Sequence, residues 1–224
     1  MIDALAGHGL QPPLLAADAG YGDTSQFRAA LDERDIIYSL QVKGDALAHT
    51  ADATPIRRTW SGQGRPPSST TPVYPDDALS LTGHVTAAGR DKAITVSWRE
   101  GSKGTLTSQF VLLRVRPAGH RIPRDPDGSL PERWLIAEWP HTEPEPATYW
   151  LSSQPADTSP ADLIRAAKIR WRIEHDYREL KTGLGLDHFE GRSFTGWHRH
   201  VTLVTAAHLF ITMLRHDPKA AAPA

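Results

Sequence analysis

The fold class is decided by the stretch Leu14-Leu15-Ala16-Ala17-Asp18-Ala19-Gly20-Tyr21-Gly22. Its first four residues form a short apolar run, which is typical of a buried strand. Aspartate and glycine follow, and both residue types adopt turn conformations easily. The stretch therefore predicts a buried strand that ends in a tight turn at Asp18.

A helix and a second strand are predicted directly after this turn. Asp23 and Gln26 have the spacing of a helix N-cap and its capping box, and Phe27 and Leu31 supply an apolar face. Residues 36–42 then have the composition of another strand. Strand, helix and strand in this order favour an α/β fold class.

The middle of the chain is rich in short β-type segments that are separated by proline and glycine, a pattern of strands joined by irregular loops. The predicted strands are Ala93 to Trp98, Thr105 to Val115, Trp134 to Trp139 and Ala147 to Leu151. We interpret this region as a β-rich insertion. Trp134, Trp139 and Trp150 are expected to fill the core rather than to stack on nucleic-acid bases.

A long helix is predicted after the insertion. Ser159-Pro160-Ala161-Asp162 combines a cap residue, a proline at the first helical position and an acid at the third. The helix should run to about Lys181, with Arg170, Glu174 and Lys181 on one polar face.

The chain thus divides into four predicted regions. Residues 1–43 form the first part of an α/β core, and residues 44–153 form the insertion. Residues 154–216 are C-terminal helices, of which the last is expected over roughly Trp197 to Leu214. Residues 217–224 are rich in alanine and are expected to be disordered.

The composition excludes several classes of protein. The 224 residues include 25 Lys+Arg and 26 Asp+Glu, for a formal net charge of −1, and no cysteine. Disulfides, thiolate zinc sites and cysteine nucleophiles are therefore excluded. No basic and apolar leader is found, and no run of about 18 apolar residues. We expect a soluble, cytoplasmic protein with no membrane partner.

Charge is unevenly distributed along the chain. Residues 123–162 contain two basic and eight acidic side chains, whereas residues 163–181 contain six basic and three acidic ones. The predicted helix is therefore a local cationic surface. Two interpretations are open: a solvated helix with ion pairs between successive turns, or a surface that binds DNA phosphates.

This helix resembles a known family. Arg170-Trp171-Arg172-Ile173-Glu174-His175-Asp176-Tyr177-Arg178-Glu179-Leu180-Lys181 resembles the glutamate helix of the DDE transposases that bacterial insertion sequences encode. In the branch with a Tyr-Arg-Glu-Lys signature, the last three signature positions fall on Arg170, Glu174 and Lys181. The tyrosine position falls on Ala167, so one signature residue is absent.

The N-terminal stretch resembles the same family. Leu15 to Asp23 is similar to the strand end that bears the second catalytic aspartate, with Asp18 at the matching position. The resemblance implies a ribonuclease-H-like core interrupted by a β-rich insertion. It implies a DNA transposase that cuts phosphodiester bonds at transposon ends and then joins them to target DNA.

The resemblance also implies the site residues. Asp18 and Glu174 would be catalytic and would hold Mg²⁺ or Mn²⁺, because these ions prefer oxygen ligands. The DNA contacts would come from four cations, which are Arg170, Lys181, Arg178 and Arg172. The expected partners are transposon ends and target DNA in the bacterial nucleoid. A second copy of the chain is a further possible partner, and the sequence does not decide the oligomeric state.

The family's site has three acids, and this chain supplies two. Asp3 precedes Asp18 by 15 residues, which is too short for the strands and helix expected between the first two acids. We therefore expect this chain to be the C-terminal portion of a longer transposase and to be inactive alone.

Two alternatives remain open. The chain is a non-catalytic remnant that binds DNA or a transposase subunit through its basic helix, or it is a β-rich binding module whose acids are helix caps and turn residues. A histidine metal site is not expected, because the group His198, His200 and His208 matches no zinc-site spacing.

Overall fold

The computed structural model consists of two compact units, Met1–Lys168 and Ile169–Ala224. The residues that the structure describes are 2–57, 62–64, 71–101 and 104–216. The tail that was predicted to be disordered, residues 217–224, lies outside them.

A mixed sheet organises the first unit. Its described strands are β1 (Leu15–Ala17), β2 (Tyr38–Val42), β3 (Leu47–Thr50), β4 (Leu79–Ser80), β5 (Ile94–Gly101), β6 (Gly104–Pro117), β7 (Arg133–Glu138) and β8 (Thr148–Ser152). The order along the sheet is β1-β2-β8-β7-β6-β3-β4, and β5 pairs with β6. The pair β1 and β2 is parallel, and the other pairs are antiparallel.

Short helices cover this sheet. The helices of the first unit are α1 (Ile2–Ala6), α2 (Ala19–Gly22), α3 (Ser25–Asp32), α4 (Leu81–Ala88), the 3₁₀ turn Arg90–Lys92 and α5 (Pro160–Lys168). Helix α5 begins as the sequence predicts, because the Ser159 hydroxyl accepts from the Asp162 amide and donates to the Asp162 carboxylate.

Helix α5 packs on one face of the sheet through apolar side chains. The cluster consists of Leu163, Ile164, Ala167, Phe110, Ile136 and Trp150. Trp139 is also buried, in a second cluster that includes Leu81 and Val85 of α4. The prediction that the tryptophans fill the core is confirmed for Trp139 and Trp150, whereas Trp134 is only partly buried against the α5 cluster.

The second unit contains α6 (Trp171–Arg178), a π-helical turn (Glu179–Gly183) and α7 (Phe194–His216). The prediction of one continuous helix from Ser159 to Lys181 is wrong. At residues 169–170 the chain leaves the α-helical pattern, because the amides of Arg172 and Ile173 bond to carbonyls three residues back. Neither proline nor glycine lies at this break.

A second departure from regular helix follows α6. The Leu184 amide donates to the Glu179 carbonyl five residues back. The Thr182 hydroxyl donates to the Arg178 carbonyl four residues back. Gly185, with φ +69°, then follows the end of the helix.

The mixed α/β fold with C-terminal helices confirms the predicted fold class and is compatible with a DDE nuclease fold. The four strands predicted in the middle of the chain are present as β5 to β8. All described strands lie in one sheet with β1 and β2, and the limits of the β-rich insertion stay a prediction. Among the described residues, no helix combines the length and apolar composition that a membrane span requires.

Candidate functional site

Asp18 lies where strand β1 ends and helix α2 begins. Its side chain accepts a hydrogen bond from the Gly20 amide at 3.1 Å, so it caps α2. A carboxylate has about four acceptor positions, of which the cap bond uses one. The structure thus shows the capping role directly and is compatible with the ligand role.

The turn after Asp18 is held against strand β2. A Cβ atom on Gly22 would lie 1.9 Å from the Gln41 carbonyl oxygen, so only glycine fits this close approach. The buried Arg28 guanidinium donates to the Gly22 carbonyl. These contacts fix the position of α2 and therefore of the Asp18 carboxylate.

The predicted cap at Asp23 is wrong. The helix that carries Phe27 and Leu31 is α3, which begins at Ser25 with Thr24 in the N-cap position, and Asp23 is instead the C-cap of α2. The Asp23 carboxylate accepts from the Lys43 amide at 2.8 Å and lies 3.6 Å from the Lys43 ammonium. Asp23 therefore ties α2 to the end of β2.

Glu174 lies in the second unit, on helix α6. Its carboxylate is 3.3 Å from the Arg170 guanidinium one turn earlier, and 57% of its side chain is exposed. The predicted pairing of Arg170 and Glu174 on one face is present. Asp18 belongs to the first unit and Glu174 to the second.

The other predicted DNA contacts occupy different positions. Lys181 lies in the π-helical turn, not on a regular helix, with its ammonium 5.5 Å from the centre of the Tyr177 ring. The Arg172 guanidinium is 3.1 Å from the Asp176 carboxylate. Arg178 and Lys181 are exposed, so both can reach a phosphate.

Asp18 and Glu174 suit a magnesium or manganese ion by their chemistry. Both offer carboxylate oxygens, the hard ligands that these ions prefer. Asp3, the acid nearest the N-terminus, lies on helix α1. Its carboxylate oxygen is 2.7 Å from the Arg34 Nε atom. Arg34 lowers the pKa of Asp3 through this hydrogen bond and its charge. The Asp3 carboxylate is thus paired with a cation in this structure.

The structure also brings together residues that sequence reasoning missed. His175 and Asp176 of α6 and Glu179 of the π-helical turn offer ligand atoms that all lie within 4.8 Å of one another. His208 of α7 places its Nε2 atom 3.3 Å from Glu179 and 3.8 Å from Asp176. The i and i+4 spacing of His175 and Glu179 was the available signal, whereas the partnership with His208 needs the tertiary structure.

Two arginines border this histidine–carboxylate cluster. Arg215 donates to both carboxylate oxygens of Glu179, at 2.8 and 3.0 Å, and this contact lowers the pKa of Glu179 below its ordinary value. Arg172 pairs with Asp176. The cluster therefore combines two carboxylates, two imidazoles and two guanidinium groups.

His198 and His200, unlike His208, make only local packing and backbone contacts among the described residues. The His200 ring nitrogen lies 3.0 Å from the Gly185 carbonyl, and the ring contacts Phe189. His198 packs edge-on against Phe194. His198 and His200 thus serve packing.

One comparison with known proteins finds a similarity over the first part of the chain. Residues 1–105 match the family model described as a DDE superfamily endonuclease. The match includes Asp18 and the end of β1, and Glu174 lies beyond it. No curated protein matches the chain. The similarity supports nuclease-type chemistry for the matched part, and it agrees with the resemblance inferred from Asp18 and its neighbours.

Proposed function

We propose that this chain is part of a DNA transposase that cleaves phosphodiester bonds at transposon ends and joins them to target DNA. The observation that carries the proposal is the match of residues 1–105 to a DDE superfamily endonuclease family, with Asp18 at the carboxyl end of a strand inside the matched region. An acid at a strand end is fixed by the sheet and still reaches solvent.

Asp18 and Glu174 would hold the metal, through carboxylate oxygens. When bound, divalent ions would activate the attacking oxygen and stabilise the charge on the leaving oxygen. A complete site of three acids needs one further carboxylate, which the proposal assigns to a segment outside these 224 residues. The chain alone would then bind the metal weakly and leave DNA uncut.

Four cations in the second unit would bind DNA phosphates. Arg178 and Lys181 are exposed, whereas Arg170 and Arg172 already pair with Glu174 and Asp176. We therefore expect two to four phosphate contacts. A salt slope of about −0.9 per contact predicts that affinity falls roughly 10- to 150-fold between about 50 and 200 mM salt.

A nicking assay tests the catalytic proposal. Supercoiled plasmid is incubated with Mg²⁺ or Mn²⁺ and either this chain or a version extended by the residues that the upstream genomic DNA encodes. The extended chain should nick the plasmid, and Asp18→Asn or Glu174→Gln should abolish nicking. Asp162→Asn, an exposed acid on α5, is the matched control and should retain it.

The outcomes separate the parts of the proposal. An extended chain that supplies a third acid but neither binds nor cuts DNA would refute the transposase proposal. Nicking by the 224-residue chain that depends on Glu174 would keep the nuclease proposal and overturn the idea of a missing acid.

The second candidate is a non-catalytic remnant that binds DNA or a transposase subunit through the basic helix. It is favoured by helix α6, which buries none of its residues and exposes Ile173 and Tyr177 beside its cations. Fluorescence anisotropy with a short duplex separates the two partners. Lys181→Ala should reduce the salt slope by about one if DNA binds, whereas a protein partner should show little salt dependence.

A further inference from the structure

The histidine–carboxylate cluster of the second unit joins two separate helices. His175, Asp176 and Glu179 come from α6 and the turn that follows it, and His208 comes from the middle of α7. The Nδ1 atom of His175 is 3.9 Å from both the Asp176 and the Glu179 carboxylates. One imidazole nitrogen from the same segment and one from α7 thus lie beside the two carboxylates.

Two imidazole nitrogens in the cluster, the Nδ1 atom of His175 and the Nε2 atom of His208, are buried without a well-formed hydrogen bond among the described residues. The Oδ1 atom of Asp176 is also buried, and its contact is the ion pair with the Arg172 Nε atom at 3.1 Å. Buried polar atoms are nearly always satisfied, so each exception calls for an explanation such as a bound ion. Here the exceptions lie side by side, and all are metal-ligand atoms.

An ion-pair network alone does not explain these atoms. Arg215 and Arg172 neutralise Glu179 and Asp176, but neither guanidinium makes a hydrogen bond with an imidazole of the cluster. Three of the four contacts between the histidine nitrogens and the carboxylates are 3.8–3.9 Å long, and the fourth, between His208 and Glu179 at 3.3 Å, lies at the outer limit of hydrogen-bond length. A cation between the groups would satisfy the nitrogens and the carboxylates together. The arginines would then orient the carboxylates, as outer partners of metal ligands commonly do.

The second unit also lacks the usual means of stabilisation. Among its described residues, Val204 is the only one that is buried. Small units with so little apolar core usually depend on disulfides, a metal or a partner, and this chain has no cysteine. A metal bound between α6 and α7 would supply such a tie.

The ligand set selects the metal. Imidazole nitrogens with carboxylates suit zinc and similar transition metals, whereas magnesium keeps to oxygen ligands. Ligands about 2.0–2.1 Å from a tetrahedral zinc ion are roughly 3.3 Å apart. The histidine–carboxylate separations are 3.3–3.9 Å, and the ligand atoms of His175, Asp176 and Glu179 lie within 4.8 Å of one another, so metal binding would draw the groups together by up to about 1.5 Å. A cavity of about 300 Å³ lined by Glu179, His208 and Arg215 gives access from solvent.

We propose that His175, Asp176, Glu179 and His208 form a structural site for a divalent transition metal of the zinc type. The site is separate from the magnesium or manganese site assigned to Asp18 and Glu174. It does not depend on the chain being a nuclease.

Zinc and cobalt binding to the full chain test this proposal. The protein is stripped with a chelator, loaded with Zn²⁺, passed through a desalting column and analysed for metal content. Wild type should retain one zinc per chain, and Co²⁺ should give the visible absorption of a low-coordinate nitrogen and oxygen site. His175→Gln and His208→Gln should each weaken binding at least about tenfold. His198→Gln, on the same helix α7, and Glu174→Gln should leave it unchanged.

The refuting results do not depend on activity. The proposal is overturned if wild type retains no stoichiometric zinc, if millimolar Mg²⁺ displaces the zinc, or if a His175→Gln/His208→Gln protein with native circular dichroism binds as tightly as wild type. If His208→Gln unfolds, Glu179→Gln replaces it, because the amide keeps the shape of the side chain and removes its charge.

Discussion

The pair Lys168 and Glu138 offers the sharpest test of how helix α5 is held on the sheet. The Lys168 ammonium lies 2.5 Å from the Glu138 carboxylate, and only 21% and 12% of the two side chains are exposed. The same ammonium lies 4.9–5.7 Å from the ring centres of Trp98, Phe110 and Trp150. The Lys168 ammonium thus contacts one carboxylate and three aromatic rings.

We expect Lys168→Met to destabilise the first unit by about 3 kcal/mol. At an effective dielectric constant of about 20, charges 2.5 Å apart attract by about 7 kcal/mol. Desolvation of both groups cancels much of this attraction, but removal of one partner leaves the other charge buried, which typically costs about 3–5 kcal/mol. The partial exposure of Lys168 favours the lower end of this range.

Urea unfolding monitored by tryptophan fluorescence measures the effect. With a slope of about 2 kcal/mol per molar urea, the midpoint should fall by about 1.5 M. Adding Glu138→Gln to Lys168→Met should recover at least half of the loss, because the double variant has no unpaired charge. Arg165→Met, which breaks the exposed pair with Asp162 on the same helix, should change stability by less than about 0.5 kcal/mol. A loss below about 1 kcal/mol for Lys168→Met, or simple additivity in the double variant, would refute the reasoning.

Three further predictions concern the first unit. Gly22→Ala should cost about 3 kcal/mol of unfolding free energy, because its Cβ would lie 1.9 Å from the Gln41 carbonyl, whereas Gly7→Ala, with no atom closer than 3.5 Å, should cost less than about 1 kcal/mol; equal effects in urea unfolding would contradict this. Asp18→Ala should lose about 1 kcal/mol through the helix cap while Asp18→Asn keeps the cap, yet both should abolish metal-dependent nicking by the extended chain; nicking by Asp18→Asn would exclude Asp18 as a ligand. Burial raises the pKa of Tyr38, so the folded state keeps this proton where the unfolded state loses it, and stability should fall as pH rises above about 10. Urea midpoints at increasing pH should fall less steeply for Tyr38→Phe, and parallel curves would exclude Tyr38 as the cause.

The local elements of the first unit could be predicted because short-range patterns determine them. The apolar run before Asp18, the cap at Ser159 and the β-type segments around Trp134 and Trp150 each carry their own signal. The pairing of β2 with β8 carries no such signal, because it depends on contacts between Tyr38–Val42 and Thr148–Ser152 that are far apart in sequence.

In the candidate sites too, contacts within one helix could be predicted from the sequence, whereas contacts between helices could not. Arg170 and Glu174 are one helical turn apart, so their pairing follows from spacing alone. Neither proline nor glycine lies at the break before Trp171, and no comparable short-range pattern indicates the π-helical turn. His208 joins His175 and Glu179 only because α7 packs beside the π-helical turn, so spacing rules for zinc sites could not find this group.

The two proposed sites are coupled by the geometry of helix α6. Successive residues on an α-helix point about 100° apart, so Glu174 faces away from the cluster that its neighbours His175 and Asp176 form. Because His175 and Asp176 would be fixed by a metal shared with α7, the rotation of α6 about its axis would be fixed as well. The direction of the Glu174 carboxylate would then be set by its two neighbours rather than by a buried apolar face, since α6 buries none of its residues. It follows that loss of the zinc-type metal should reduce nicking by the extended chain while the magnesium ligands remain intact.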